Sequence, residues 1–208
     1  MKSLSIYILG FMAALVTTTA MAQSNTYQLL PKSEMTITGT STIHDWECDV
    51  ETINLTADLA DALFNAEVPV SEESIKALSI TVPVKSIESG KGGMNNKIYG
   101  ALKEKKFSNV EYVFSKAELV SGSQESGSFT LNTTGQLTIA GQTRNVSFPV
   151  QATLSGSDTI SFEGSYSLNM KDFGVDPPSA VFGTIKSGEE VTISFNIAVA
   201  NKAVANNK

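Results

Sequence analysis

Only one place in the chain can hold a histidine base, because the sequence contains a single His, His44, followed by Asp45. Thr40, Ser41 and Thr42 come just before it, so a hydroxyl, an imidazole and a carboxylate lie within six residues. That set could in principle run nucleophilic ester hydrolysis, with His44 activating Ser41. No Gly-x-Ser-x-Gly elbow occurs anywhere to present such a serine on a strained turn, so His44 reads first as a structural or cavity-lining residue on a strand. Asp45, Glu47 and Asp49 alternate with Trp46, Cys48 and Val50. Carboxylates two apart on a strand stand about 6.5–7 Å from one another, too spread to close on one cation, so the row reads as a solvated strand face. Ser89-Gly-Lys-Gly-Gly93 lacks the first Gly and the Lys-Ser/Thr ending of a phosphate-binding loop, and is a flexible lead into a helix. Asp172-Phe173-Gly174 stands without the other segments of a kinase. The expectation is a chain with no catalytic residue, no metal site and no cofactor.

The composition points the same way. Of 208 residues, 15 are Lys or Arg and 21 Asp or Glu, a formal charge of −6, and Arg144 is the one arginine. An acidic chain with so little guanidinium has no electrostatic footprint for a phosphate backbone, which excludes nucleic acid as a partner. One Cys, Cys48, cannot form an internal disulfide, and one His cannot build a multi-histidine metal site. Only 17% of residues are charged, against roughly 25% in an average soluble domain.

The N-terminus reads as an export signal. Lys2 precedes the apolar run from Leu4 to Val16, and Ala20-Met-Ala22 supplies a small-x-small cleavage site, so residues 1–22 form a signal peptide cut after Ala22. The apolar run is 13 residues long, shorter than the roughly 20 that span a bilayer. Removing residues 1–22 removes Lys2 and leaves 186 residues with a charge of −7. No later segment is apolar enough to cross a membrane, which places the mature chain, 23–208, outside the cytoplasm as a single domain.

Past the signal the dominant period is two. Val191, Ile193, Phe195, Ile197 and Val199 alternate with Thr192, Ser194, Asn196 and Ala198, which puts one strand face in a core and the other in water. Phe148 to Leu154 and Ile160 to Leu168 repeat the pattern on either side of Gly156-Ser-Asp158, a hairpin, and Ala140-Gly-Gln142 makes another. Further strands are expected at 35–39, 43–50, 53–59, 78–84, 110–114 and 129–131, with 121–128 as a hairpin loop. A short helix is expected near Ser71-Glu-Glu73, and a longer one from about Asn95 to Lys105, where Met94, Ile98, Ala101, Leu102 and Lys105 fall at helical spacing. Eight or nine alternating strands without a helical half predict an all-β, antiparallel barrel or sandwich.

Several segments taken in order resemble a known family. Gly39-Thr-Ser-Thr-Ile-His-Asp-Trp46 is followed by Met94-Asn-Asn-Lys-Ile-Tyr-Gly-Ala-Leu-Lys103 and Phe107-Ser-Asn-Val-Glu-Tyr-Val-Phe114. Then come Gly135-Gln-Leu-Thr-Ile-Ala-Gly-Gln-Thr-Arg-Asn-Val-Ser-Phe148, Leu168-Asn-Met-Lys-Asp-Phe-Gly-Val175 and Gly188-Glu-Glu-Val-Thr-Ile-Ser-Phe195. The set, running from about Tyr27 to Ala200, resembles the YceI-like family of exported bacterial lipid-binding proteins. The resemblance implies a lipocalin-like antiparallel β-barrel of about eight strands, capped by a helix. It also implies a periplasmic protein whose interior holds a polyisoprenoid, such as a quinone or polyprenyl chain, or another long amphiphile, without catalysis.

The alternates that would face such an interior are Ile37, Trp46, Ile80, Val82, Tyr112, Phe114, Leu137, Ile139, Phe148, Phe162, Tyr166, Phe195 and Ile197. The same row could instead fill a closed core, making the chain a protein-interaction module with no ligand. Candidate partners for a ligand head group are His44 and Arg144, with Lys97 and Lys103 near the expected helix.

Overall fold

The computed structural model of the chain describes residues 26–180 and 184–202. The expected signal, 1–22, and its cleavage point after Ala22 lie outside the described residues. Eight antiparallel strands close a barrel: β1 (Thr26–Leu29), β4 (Asn54–Leu59), β5 (Ile75–Pro83), β7 (Asn109–Ser123), β8 (Ser128–Ile139), β9 (Gln142–Ser155), β10 (Thr159–Asn169) and β12 (Ile185–Asn201), which returns to β1. Two-residue alternation builds it. On β8, Phe129, Leu131, Thr133, Gly135, Leu137 and Ile139 are all buried, while nearly every residue between them reaches water. Ala140 and Gly141, both at positive φ, form the tight turn that pairs Ile139 with Gln142.

Strand β12 serves two seams on one edge. Near its end Val199 pairs with Leu29 of β1; further back, Asn196 to Ser187 pair with β2 (Glu34–Ser41). β2 then carries β3 (Trp46–Val50), and β3 carries β6 (Ile87–Glu88). The wall is therefore closed by β1 and β4 at one end and extended by β2, β3 and β6 at the other. Helix α1 (Gly92–Ala101) lies against this extension, with β11 (Ser179–Ala180) paired to the start of β12 across from it.

The β1–β4 end is solid. Leu59, Leu63, Phe129, Leu131, Ile160 and Val199 are at most 1% exposed there, and the Tyr27 and Phe64 rings stack with centroids 5.8 Å apart. These side chains form a packed floor to the barrel.

Several expected boundaries shift, each for a local reason. The strand expected from Ile43 begins at Trp46, because the Ser41 hydroxyl donates to the His44 carbonyl at 2.7 Å and accepts from the Ile43 and His44 amides, folding 41–44 into a turn. His44 therefore stands on a turn and not on a strand. The expected helix from Asn95 to Lys105 starts at Gly92 instead, where the Asn95 side chain accepts from the Ser89 amide and hydroxyl and draws the loop into the first turn. It ends at Ala101, because Lys103 adopts a left-handed φ of 56° and its carbonyl accepts the Lys106 and Phe107 amides. The expected helix near Ser71 is a single 3-10 turn, Glu72–Ser74, held by reciprocal Ser71–Ser74 capping. The strand expected over 110–114 runs on to Ser123, and the hairpin loop shrinks to 124–127.

Candidate ligand-binding site

Between the solid end and helix α1 the barrel is hollow. A lower cavity of about 120 Å³ sits in mid-barrel, and an upper one of about 300 Å³ lies beneath α1. Val110 of β7 and Ile193 of β12 line both, so the two adjoin across that pair. Hollows lined by apolar side chains with a few polar groups have the character of small-molecule sites.

The upper cavity is walled by β2 and β3 through Ile37 and Trp46, by β8 and β10 through Ile139 and Leu168, by α1 through Met94 and Ile98, and by Leu102 just past its end. Trp46 is fixed by two contacts. Its indole N–H donates to the Thr40 carbonyl at 2.9 Å, and its ring lies on the bare backbone of Gly39, where a Cβ would meet ring atoms at 2.3 Å. α1 is held in place by Glu88, whose carboxylate accepts from the Asn95 amide and from the Tyr99 hydroxyl at 2.7 Å. Partial burial and the neighbouring Glu88 push the Tyr99 hydroxyl up to about 12. The Cys48 thiol, 1% exposed in the same wall, is pushed up to about 11 by burial and then by Asp49, Glu88 and Glu47.

The lower cavity is ringed by aromatics. The Phe148 ring contacts Tyr112, Tyr166 and Phe195 with centroids 5.4–6.0 Å apart. The Tyr112 hydroxyl is buried over Gly135 without a well-formed hydrogen bond; burial raises its pKa, and the nearby Thr133 hydroxyl offsets part of that rise.

A family model describing the YceI-like domain matches residues 36–199, from within β2 to within β12. The chain belongs to the YceI-like family.

Solved structures with the same fold include Burkholderia cenocepacia BcnA, 20% identical at a TM-score of 0.63, covering 80% of this chain and 96% of that one. A polyisoprenoid-binding domain from Saccharophagus degradans, implicated in plant cell wall breakdown, is 11% identical at a TM-score of 0.61 and covers 84% and 98%. The Campylobacter jejuni YceI protein is 14% identical at 0.53, covering 97% and 99%. No curated protein matches the chain.

In this YceI-like barrel the residues chosen by alternation fall as follows. Trp46 and Ile139 line the upper cavity; Tyr112, Phe114, Leu137, Phe148, Phe162, Tyr166, Phe195 and Ile197 line the lower one. His44 stands at the mouth of the upper cavity, its Nδ1 2.7 Å from the Asp45 carbonyl. Ser41 gives its hydroxyl proton to the backbone, so the two do not form a nucleophile–base pair. Arg144 is exposed and donates to the Thr143 carbonyl at 2.9 Å; it lines neither cavity. Lys97 lines the upper cavity, and Lys103 instead ties the end of α1 to the Gly174 carbonyl at 2.9 Å. Glu47 and Asp49 face water, and no group of three or more His, Cys, Asp or Glu could hold a metal ion among the described residues. Among the same residues no helix is long and apolar enough to cross a membrane.

Sequence reasoning missed the apolar residues that α1 and the segment after β10 add to the upper cavity, such as Met94, Phe173 and Val175. Helical spacing at 94, 98 and 102 was the available signal for the first of these. Nothing local marks Phe173 and Val175.

Proposed function

We propose that this chain is an exported, non-catalytic carrier that holds a polyisoprenoid or similar long amphiphile inside its barrel. One observation carries the reading: two adjoining apolar cavities, of about 300 and 120 Å³, lie above a densely packed floor. A core that needed only to fold would fill that space with side chains, since each buried methylene contributes about 0.8 kcal/mol. A few isoprene units in it would gain on the order of 10 kcal/mol gross. After the cost of association this corresponds to micromolar or tighter binding. The polyisoprenoid-binding neighbour from Saccharophagus degradans supports the ligand class. Trp46, Ile139 and the eight lower-cavity residues named above are the proposed lining. The absence of a Ser41–His44 pairing supports binding without turnover.

Residues 1–22 are proposed as the signal that delivers the mature domain, 23–208, to the periplasm. The test is organic extraction of the purified mature protein followed by mass spectrometry, with titration by a fluorescent isoprenoid analogue. A copurifying lipid and saturable uptake are expected; neither appearing would overturn the carrier reading in favour of a ligand-free barrel.

A further inference from the structure

The polar side chains of the upper cavity all come from its rim. Ser41 and His44 belong to the β2–β3 turn, Lys97 to α1, and Ser179 and Ser187 to β11 and β12. Apart from the Cys48 thiol, the rest of the lining is apolar side chain or glycine, and no carboxylate takes part, in a chain with 21 of them. Lys97 brings the one formal positive charge. Its Nζ donates to the Ser179 carbonyl at 2.5 Å, and no Asp or Glu pairs with it among the described residues. An ammonium has three N–H donors, so two remain to be used. The His44 ring has its Nδ1 on the Asp45 carbonyl, with Nε2 as its second polar atom. In the lower cavity the only polar side chains are Tyr112, Tyr166 and Thr133, and the Thr133 hydroxyl is spent on the Phe148 carbonyl at 3.0 Å.

From this gradient of polarity we infer that the ligand is an anionic amphiphile bound head-outward. A phosphate or similar acidic head group sits at the rim against Lys97, with His44 beside it, and the tail runs inward past Val110 and Ile193. The inference rests on the carrier reading and sharpens it. A charged head could not occupy the lower cavity, where nothing would replace its lost hydration. At the rim it meets an ammonium that has no competing carboxylate, and such charge-assisted contacts are the stronger kind of hydrogen bond.

The test compares two probes with the same tail, farnesyl phosphate and farnesol, on the mature protein. Trp46, the only tryptophan, lines the cavity and supplies the fluorescence readout. Farnesyl phosphate is expected to bind about tenfold or more tightly than farnesol. In Lys97→Gln that ratio should fall to near one, and in Lys97→Arg it should largely return. Equal affinities in the wild type, or a ratio unchanged in Lys97→Gln, would overturn the inference while leaving the carrier reading intact. Binding of neither probe would overturn both. Inorganic phosphate alone should not perturb Trp46; if it bound as tightly as farnesyl phosphate, the rim would be a free-anion site and the inference would fail. If Lys97→Gln does not fold, the wild-type ratio at low and high salt decides, since a rim ion pair is screened by salt and a ratio indifferent to it refutes the pairing.

Discussion

The hollow interior should leave its mark on stability when one substitution is made in two places. Val110 lines both cavities, whereas Val199, 1% exposed, belongs to the packed end. Val→Phe adds roughly four carbons at either site, worth on the order of 2–3 kcal/mol if the added surface is buried without strain. At Val199 there is no space for them, and overpacking a filled core costs about 1–3 kcal/mol. At Val110 the ring can swing into void, so most of the burial is kept and the change should be neutral or stabilising by about 1 kcal/mol. For a domain of this size each kcal/mol moves Tm by roughly 2–4 °C. Val199→Phe should therefore lower Tm by several degrees, while Val110→Phe holds or raises it. Urea unfolding checks the same contrast through the midpoint, with the slope m unchanged. The ring at Val110 should also obstruct the join between the cavities and weaken uptake of an isoprenoid analogue at least tenfold. Equal destabilisation by the two substitutions would show that the interior around Val110 is already filled, and the reasoning would fail with it.

Three further outcomes follow from the walls of the upper cavity. Gly39→Ala forces the Trp46 ring off β2, so a loss of about 1–3 kcal/mol is expected together with a shifted Trp46 emission maximum; an unmoved spectrum would argue against the ring contact. Cys48 should resist a thiol-directed disulfide reagent at pH 8 in the native state and react in full once urea unfolds the chain, because burial holds the thiol near 11. The sign follows: a folded value raised from 9 to about 11 contributes stability below pH 9 that is lost as pH climbs toward 11, and stoichiometric native labelling at pH 8 would contradict it. Tyr99→Phe removes the hydroxyl that reaches both Glu88 and the Lys85 carbonyl, with an expected cost of about 1 kcal/mol and faster amide exchange across α1. In ultraviolet titration the same variant should lose a tyrosine ionising near 12; a wild type whose tyrosines all ionise near 10 would count against the Glu88 contact.

How much of this was written in the chain depends on whether the signal was local. The inward row was legible because a pleated strand leaves no choice of face once its neighbours are apolar, and Phe148, Phe162, Tyr166 and Phe195 all look into the lower cavity. Arg144 shares that parity on β9 and pairs with the cavity-lining Leu137, yet it is exposed, donates to the Thr143 carbonyl and lines neither cavity, a departure that parity alone does not register. Alternation extends the strand back to Ile43 and His44, because the Ser41 hydroxyl bonds that fold 41–44 compete with extended backbone in a way that a two-residue period does not register. β1 and β6, of four and two residues, are too short for any period to emerge; pairing with distant strands makes them. Which end of the barrel is hollow was not readable at all. It follows from Leu59 and Leu63 arriving at one end and α1 bridging the other, a matter of topology and not of pattern.

The double duty of β12 gives the barrel two seams of unequal strength. Its pairing with β1 lies against side chains that water does not reach, while its pairing with β2 borders a hollow and is interrupted by an irregularity between Ser187 and Val191. Opening the second seam would leave the ring of eight strands intact, so it lies lower in the protein's local unfolding spectrum than the first. Amide exchange should accordingly divide along a single strand, fast over Ser187–Val191 and slow at Val199. One side of β12 can then unzip while the packed floor stays closed, so the two halves of a single strand would answer to different unfolding events.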